Sequence, residues 1–269
     1  MPKDTGFGKW RFAAYTAVGV FGVASVVLAY QQVDQFLIRD PRFALASVED
    51  DETSSISLEG VRNASRERIF DVFRPEQGRS VYRLPLAERR RRLLGVEWVK
   101  DASVSRIWPN LLAVEVIERK PVAFVRLVED TSSSRLHLID EDGVLLPLTR
   151  NAKFKLPVVT GISRLQKEEE RKTRIRRMLK LQSEVGAHMD RISEIDLSDA
   201  DNLKITYPMR NRGLVLYVGY NHFAFRLKRF LDNYEEVQKR IPEARALDLR
   251  LEDRITAVKD ETAGEHRVE

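Results

Sequence analysis

Gly95-Val96-Glu97-Trp98-Val99-Lys100-Asp101-Ala102-Ser103-Val104-Ser105-Arg106-Ile107-Trp108-Pro109-Asn110-Leu111-Leu112-Ala113-Val114-Glu115-Val116-Ile117-Glu118 is the stretch from which the fold can be read. Val96, Trp98, Ala102, Val104 and Ile107 mark a half-buried strand. Trp108-Pro109-Asn110 makes a turn. In the second strand Leu112, Val114 and Val116 alternate against Ala113, Glu115 and Ile117. Such a hairpin has one apolar face, and that face must be covered.

The cover lies just upstream. Ser65 is a candidate N-cap for a helix with Ile69, Val72 and Phe73 on its apolar face. Pro75 and Gly78 break it. Leu84-Pro85-Leu86-Ala87-Glu88 opens a second helix, with Pro85 suited to the first turn. It shows Leu86, Leu93 and Leu94 inward and stops at Gly95. Ile56-Ser57-Leu58-Glu59-Gly60 reads as a short strand ended by glycine. The order β-α-α-β-β over residues 55–121 predicts two helices on one face of a three-stranded mixed sheet. Residues 34–54, with Pro41 and the run Glu49-Asp50-Asp51-Glu52, read as a stalk.

Further upstream, Phe12 to Val33 contains no charged residue. A helix of about 20 residues rises roughly 30 Å and matches a hydrocarbon core. Trp10, Phe12, Tyr15 and Tyr30 stand at its ends as interfacial aromatics do. Lys3, Lys9 and Arg11 precede it against the single acid Asp4, whereas Asp34, Arg39, Asp40 and Arg42 cancel beyond it. The positive-inside bias puts residues 1–11 in the cytoplasm, residues 12–33 across the membrane and the rest outside. A cleaved signal peptide would have a shorter apolar core and small residues at its end, and Leu28-Ala29-Tyr30-Gln31 is a poor cleavage site. Gly19, Gly22, Ser25 and Ala29 share one face, which would permit close approach of a partner helix.

Downstream, residues 122–260 read as a second α/β piece. Val122 to Val128 and Leu136 to Ile139 are strands, and Asp140-Glu141-Asp142-Gly143 turns into Val144-Leu145-Leu146. Leu156 to Gly161 is extended, and Glu168 to Val185 is a charged helix. Glu194 to Leu197, Leu203 to Tyr207 and Leu214 to Val218 form a meander. Phe223, Leu227, Phe230, Leu231, Tyr234 and Val237 mark one long helix ended by Pro242. Ala246 to Leu251 and Ile255 to Val258 are the last strands, and residues 261–269 read as a disordered tail. The fold class is α+β: one N-terminal transmembrane helix, the β-α-α-β-β unit, and a mixed domain with a mainly antiparallel sheet.

The chain carries little that suggests catalysis. There is no cysteine, and the four histidines, His137, His188, His222 and His266, lack metal-ligand spacing. His137 reads as solvent-facing in a strand, and His222 as a capping or surface residue. No nucleophile elbow, zinc-protease or phosphate-loop pattern is present. Asp140-Glu141-Asp142 and Glu252-Asp253 sit at predicted turns. Arg89-Arg90-Arg91-Arg92 spreads around a helix rather than forming a stripe. It reads as a solvated face first and as a site for an anionic partner second. With a net charge of +5 and acids interspersed among bases, nucleic acid is not implied.

The run from Gly95 continues as Arg119-Lys120-Pro121-Val122-Ala123. It resembles the pattern W-V-x-x-A-x-V-x-R-x-W-P-x-x-L, then V-x-E-R-x-P-V-A, of the FtsQ/DivIB family. Leu138-Ile139-Asp140-Glu141-Asp142-Gly143 is similar to its L-I-D-x-x-G block, Leu156 to Gly161 to its L-P-x-x-x-G, and Ala246-Leu247-Asp248-Leu249-Arg250 to its V-D-L-R strand. The resemblance implies a POTRA domain at 55–121 followed by a so-called β domain. It implies a non-catalytic scaffold of the division septum in the inner membrane, without cofactor or metal. It also implies binding of the bitopic partners FtsB and FtsL by strand addition at the final strand, and of other division proteins through the POTRA domain or the membrane helix. The partner-binding residues would be Leu251, Arg254, Ile255, Thr256, Ala257, Val258 and Lys259. Some members have aromatics where Leu251 and Lys259 stand. An anchored cell-wall hydrolase and another POTRA-containing assembly factor are the alternatives.

Overall fold

A computed structural model describes residues 7–50, 53–130, 133–149, 153–209 and 212–258, with backbone alone for 7–14, 128–130 and 133–134. The chain divides into two compact units, Met1–Glu118 and Arg119–Glu269. The tail expected at 261–269 lies outside the described residues.

In the first unit, helix α1 (Phe7–Arg39) runs for 33 residues, about 50 Å at 1.5 Å per residue. Its stretch Tyr15–Arg39 is long and apolar enough to cross a membrane, with mean hydropathy 1.5 and its side chains unburied. The helix thus continues past Val33, where the apolar run ends. Asp40 stops it: its carboxylate accepts from the Arg42 backbone N–H at 2.9 Å and opens a 3-10 turn at Pro41–Phe43.

Residues 34–54 are not the free stalk expected. Leu45 and Val48 are buried, and Leu45 exchanges backbone hydrogen bonds with Gly78 and Arg79. The Ser55 hydroxyl accepts from the Ala46 and Ser47 N–H groups. The acidic run hid an apolar anchor, Leu45, whose partners lie some thirty residues away.

The β-α-α-β-β unit forms as read. Strand β1 (Ile56–Glu59) is followed by α2 (Arg66–Phe73), α3 (Leu86–Leu93), β2 (Val99–Ile107) and β3 (Leu111–Glu118). The sheet order is β1-β3-β2, with β1 parallel and β2 antiparallel to β3. Leu112, Val114 and Val116 on one face of β3 are buried, as are Ile69, Phe70 and Phe73 of α2 and Leu93 of α3. Ser65 caps α2 through the Arg68 N–H. Gly60 has φ +81°, and a Cβ there would meet the Val116 carbonyl oxygen at 2.0 Å, so only glycine lets β1 end against β3.

Three inward assignments change. Leu94 is exposed and Phe70, not Val72, completes the α2 face. Arg89 is buried, donating to the Glu76 carboxylate and, at 3.1 Å, to the Val72 carbonyl. Trp98 is buried as expected, but it precedes the strand and has φ +71°. It therefore sits in a left-handed turn rather than in a pleat.

Glu118, the acid of the V-x-E-R run, explains itself by geometry. One carboxylate oxygen accepts from the Arg62, Asn63 and Ala64 N–H groups at 2.7–2.8 Å, and the other from the Asn63 amide. Burial pushes its pKa up, yet these hydrogen bonds outweigh burial and hold it below the ordinary glutamate value. The stability it contributes is full above the unfolded-state pKa of about 4.3 and is lost as pH falls through the lower folded-state value. Glu118→Gln is expected to destabilise the unit by about 1–2 kcal/mol at pH 7, the low end for charged hydrogen bonds at a partly exposed site. Urea unfolding should show that difference shrinking as pH drops below about 4.

The second unit begins with β4 (Pro121–Asp130), β5 (Ser133–Asp140), β6 (Leu145–Leu146), β7 (Val158–Thr160) and α4 (Glu168–Val185). It continues with β8 (Glu194–Asp196), β9 (Leu203–Met209), β10 (Arg212–Gly219), α5 (Phe223–Asp232), α6 (Tyr234–Arg240), β11 (Ala246–Asp248) and β12 (Thr256–Ala257). One sheet runs β12-β11-β10-β9-β8-β7-β4-β5-β6. Five of its pairings are antiparallel and three parallel. Ile175, Met178, Leu181 and Val185 of α4 join Phe223, Leu227 and Phe230 of α5 in the core.

The expected single helix after Asn221 is two, broken at Asn233, whose amide turns back to the Arg229 carbonyl at 2.9 Å. His222 does not cap α5. Glu184 of α4 does, accepting from the Phe223 N–H at 2.7 Å. His137 is half-buried beside Arg164 rather than solvent-facing. Asp140 is the hub of its turn: it accepts from the Asp142 and Val144 N–H groups and pairs with Arg119 at 2.7 Å. Gly143 there has φ +83°, and a Cβ would meet the Lys172 nitrogen at 2.6 Å.

Candidate functional site

The residues singled out at 251–259 end at an open sheet edge. Of the expected strand Arg254–Lys259, only Thr256–Ala257 is regular, and Lys259 lies outside the described residues. Strand β12 pairs antiparallel with β11, with Leu247 opposite Ala257 and Asp248 opposite Thr256. On its other side β11 runs parallel to β10, so α5 and α6 form a crossover rather than part of a meander. Among the described strands nothing pairs with the outer side of β12.

The direction of each backbone group follows from one hydrogen bond. The Val258 N–H donates to the Ala246 carbonyl at 2.9 Å. In an antiparallel ladder alternate residues face the partner. Val258 and Thr256 therefore turn toward β11, and Ala257, with Ile255 before it, presents its N–H and C=O outward. Ala257 is exposed, Ile255 and Val258 are half-buried, and Ile255 packs against the core. Leu251 is 42% exposed, and Arg254 reaches solvent beside Asp253.

Two arginines hold this edge. Arg250 closes on Asp248, which accepts from its N–H at 2.9 Å and from its guanidinium at 2.6 Å. The guanidinium of Arg250 holds the Asp248 carboxyl below the usual range. The paired D and R of the V-D-L-R run thus fix the turn that leaves β11. Arg229 on α5 donates to the carbonyls of Leu249 and Leu251, at 3.1 and 2.5 Å, and to that of Glu252. It ties the connection into β12 to the helix. Beside it a groove of about 390 Å³ opens between α6 and the last loop, with Asn233, Val237 and Ile255 among its walls.

Sequence reading found the edge but missed Arg229. Arg229 flanks the buried face formed by Phe223, Arg226, Leu227 and Phe230, so no local pattern marks it. Arg229→Ala is expected to speed hydrogen exchange at the amides of residues 249–257, leaving α4 protected. Arg229→Lys should rescue little, because one ammonium cannot span three carbonyls.

The other singled-out groups are engaged in structure. Asp140 and Asp142 serve the turn and its ion pairs, and Arg89, Arg90 and Arg92 are each paired. No three His, Cys, Asp or Glu side chains come together as a metal site among the described residues.

Comparison with known proteins agrees with the resemblance. Residues 52–119 match the model of the POTRA domain, FtsQ-type. The chain is 32% identical over 215 residues to the cell division protein FtsQ of Koribacter versatilis, covering 78% of this chain and 59% of that protein's length. It is 26% identical over 212 residues to cell division protein FtsQ of Geotalea daltonii, covering 76% and 74%. It is 31% identical over 107 residues to cell division protein FtsQ of Zymomonas mobilis, covering 39% and 32%.

Proposed function

We infer that this FtsQ-type chain is a non-catalytic, single-pass scaffold of the bacterial division septum. It joins division proteins through contacts outside the cytoplasm. The single observation that carries the reading is the outward row of backbone groups at Ala257 on the open edge of the nine-stranded sheet. An exposed edge is a template for another strand, and proteins normally guard it. Here the guard is short: Arg254 and Asp253 stand before β12. A partner of the FtsB/FtsL type adds a strand there, backbone hydrogen bonds giving affinity and alternate side chains entering the adjoining groove.

The basic residues before Phe12 and the neutral balance after Val33 support an N-terminus in the cytoplasm. Alkaline phosphatase fused after Glu269 should be active in cells. An inactive fusion would reverse the topology.

The binding reading is tested with the full chain in detergent, used to capture the partner complex. Deleting residues 254–269 should remove capture while circular dichroism shows the remaining fold intact. Undiminished capture would move the site elsewhere, first to the α3 arginines. Incubation with peptidoglycan should release no soluble fragments, and release would favour the anchored hydrolase.

A further inference from the structure

A cluster of aromatic side chains joins the outer end of α1 to the tip of the β2–β3 hairpin. Phe36 of the helix meets Phe43 edge-on at 5.7 Å, and Phe43 meets Trp108 edge-on at 5.7 Å. Tyr82 lies 6.4 Å from Trp108. The same Tyr82 lies close to Tyr30 and Asp34, whose charges push its phenol pKa up. The Ser80 hydroxyl donates to the Leu37 carbonyl at 2.6 Å, and Arg83 pairs with Asp34 at 3.3 Å. Arg106, beside the tip, donates to the carbonyls of Val81, Tyr82 and Leu84 and locks the hairpin to that segment.

These contacts fix the depth of the tip. The uncharged run ends at Val33. Tyr30 lies inside it and Phe36 three residues beyond, about 4.5 Å along the axis. The headgroup layer beyond a hydrocarbon core is roughly 5–7 Å thick. Tyr82 and Trp108 are therefore bracketed, through Tyr30 and Phe36, at the level of that layer. The tip itself is apolar and uncovered: Trp108 is 52% exposed, Ile107 44% and Leu111 38%. Ile107 and Leu111 face each other across the hairpin on the sheet side without helices. Arg42 and Arg83 are exposed beside the cluster, paired with Asp40 and Asp34, and the Arg42 guanidinium stacks over Phe36 at 5.5 Å. An exposed tryptophan flanked by aliphatic side chains, with charged pairs beside it, suits the water-facing part of a bilayer.

We propose that Ile107, Trp108 and Leu111 form a second membrane contact, a foot seated in the headgroup layer of the bilayer that α1 crosses. The foot sets the distance and tilt of the first unit relative to the membrane. Two contacts, the helix and the foot, restrain the unit where the helix alone would leave it free to swivel. The proposal rests on α1 spanning the membrane.

The chain has no cysteine, so single labels can be placed cleanly. Ile107→Cys and Ser103→Cys both point away from the helices, and the two sites are four residues, about 13 Å, apart along β2. Each variant of the full chain would carry an environment-sensitive nitrobenzoxadiazole label in nanodiscs of phosphatidylethanolamine and phosphatidylglycerol. The label at 107 should be blue-shifted, quenched by brominated lipid and reduced by dithionite several-fold more slowly than the label at 103. Trp108→Ser should weaken that protection with the dichroism spectrum unchanged. Equal wetness at the two positions, in chain that co-elutes with the discs, overturns the foot. So does protection at 107 that arises only when partner proteins are added. Chain that fails to co-elute with the discs overturns the spanning helix and the foot together.

Discussion

Trp98→Ala is expected to destabilise the first unit by about 3–5 kcal/mol, the usual range for emptying a large buried aromatic site. Trp98 is 2% exposed and is among the largest fully buried side chains of the protein. Trp98→Phe should be far milder, because most of the volume stays filled. The backbone adds a sharper test. At φ +71° a residue with a Cβ carries a penalty of roughly 1–2 kcal/mol that glycine escapes. Trp98→Gly should therefore be less destabilising than Trp98→Ala. A residue inside a strand would show the reverse, since glycine is about 0.5–1 kcal/mol worse than alanine in regular structure. Chemical unfolding of both variants, followed by circular dichroism, gives the order. Alanine proving the milder change would mean that Trp98 belongs to the pleat of β2.

That reversal shows what alternation can and cannot reveal. Leu112, Val114 and Val116 were legible because a central strand with one buried face has a period of two. Asp140 and Gly143 were legible as a turn, because short polar side chains and a positive φ make turns locally. Trp98 was read correctly as buried and wrongly as extended, because burial leaves no trace of backbone handedness. The segment 34–54 is illegible for a different reason. Its composition is acidic and polar, while the buried Leu45 is held by Gly78 and Arg79, which are remote in sequence. In sequence Arg89 is indistinguishable from its three neighbours; only the fold brings Glu76 to it. In the candidate site the edge strand was visible as a short run between charges. Its reduction to two residues, and the hold of Arg229 on the preceding loop, depend on tertiary contacts that no local pattern encodes.

The edge itself gives the other large effect. Ala257→Pro is expected to weaken binding of the partner strand proposed for this edge by at least about 2 kcal/mol, roughly thirtyfold in Kd. The Ala257 N–H is the donor that alternation turns outward from β12, and proline removes it. The ring also occupies the space into which a partner strand must come. The ladder to β11 is spared, because its bonds come from Thr256 and Val258. Thr256→Pro removes an inward donor instead and should loosen β12 from β11, giving faster hydrogen exchange at residues 246–248. Ala257→Val keeps the N–H, favours extended backbone, and should bind as the parent does. The three variants separate a backbone contact from a side-chain one. If the partner recognised only the exposed Leu251 and Arg254 side chains, Ala257→Pro and Ala257→Val would bind alike, and titration of the partner complex against each variant would show it.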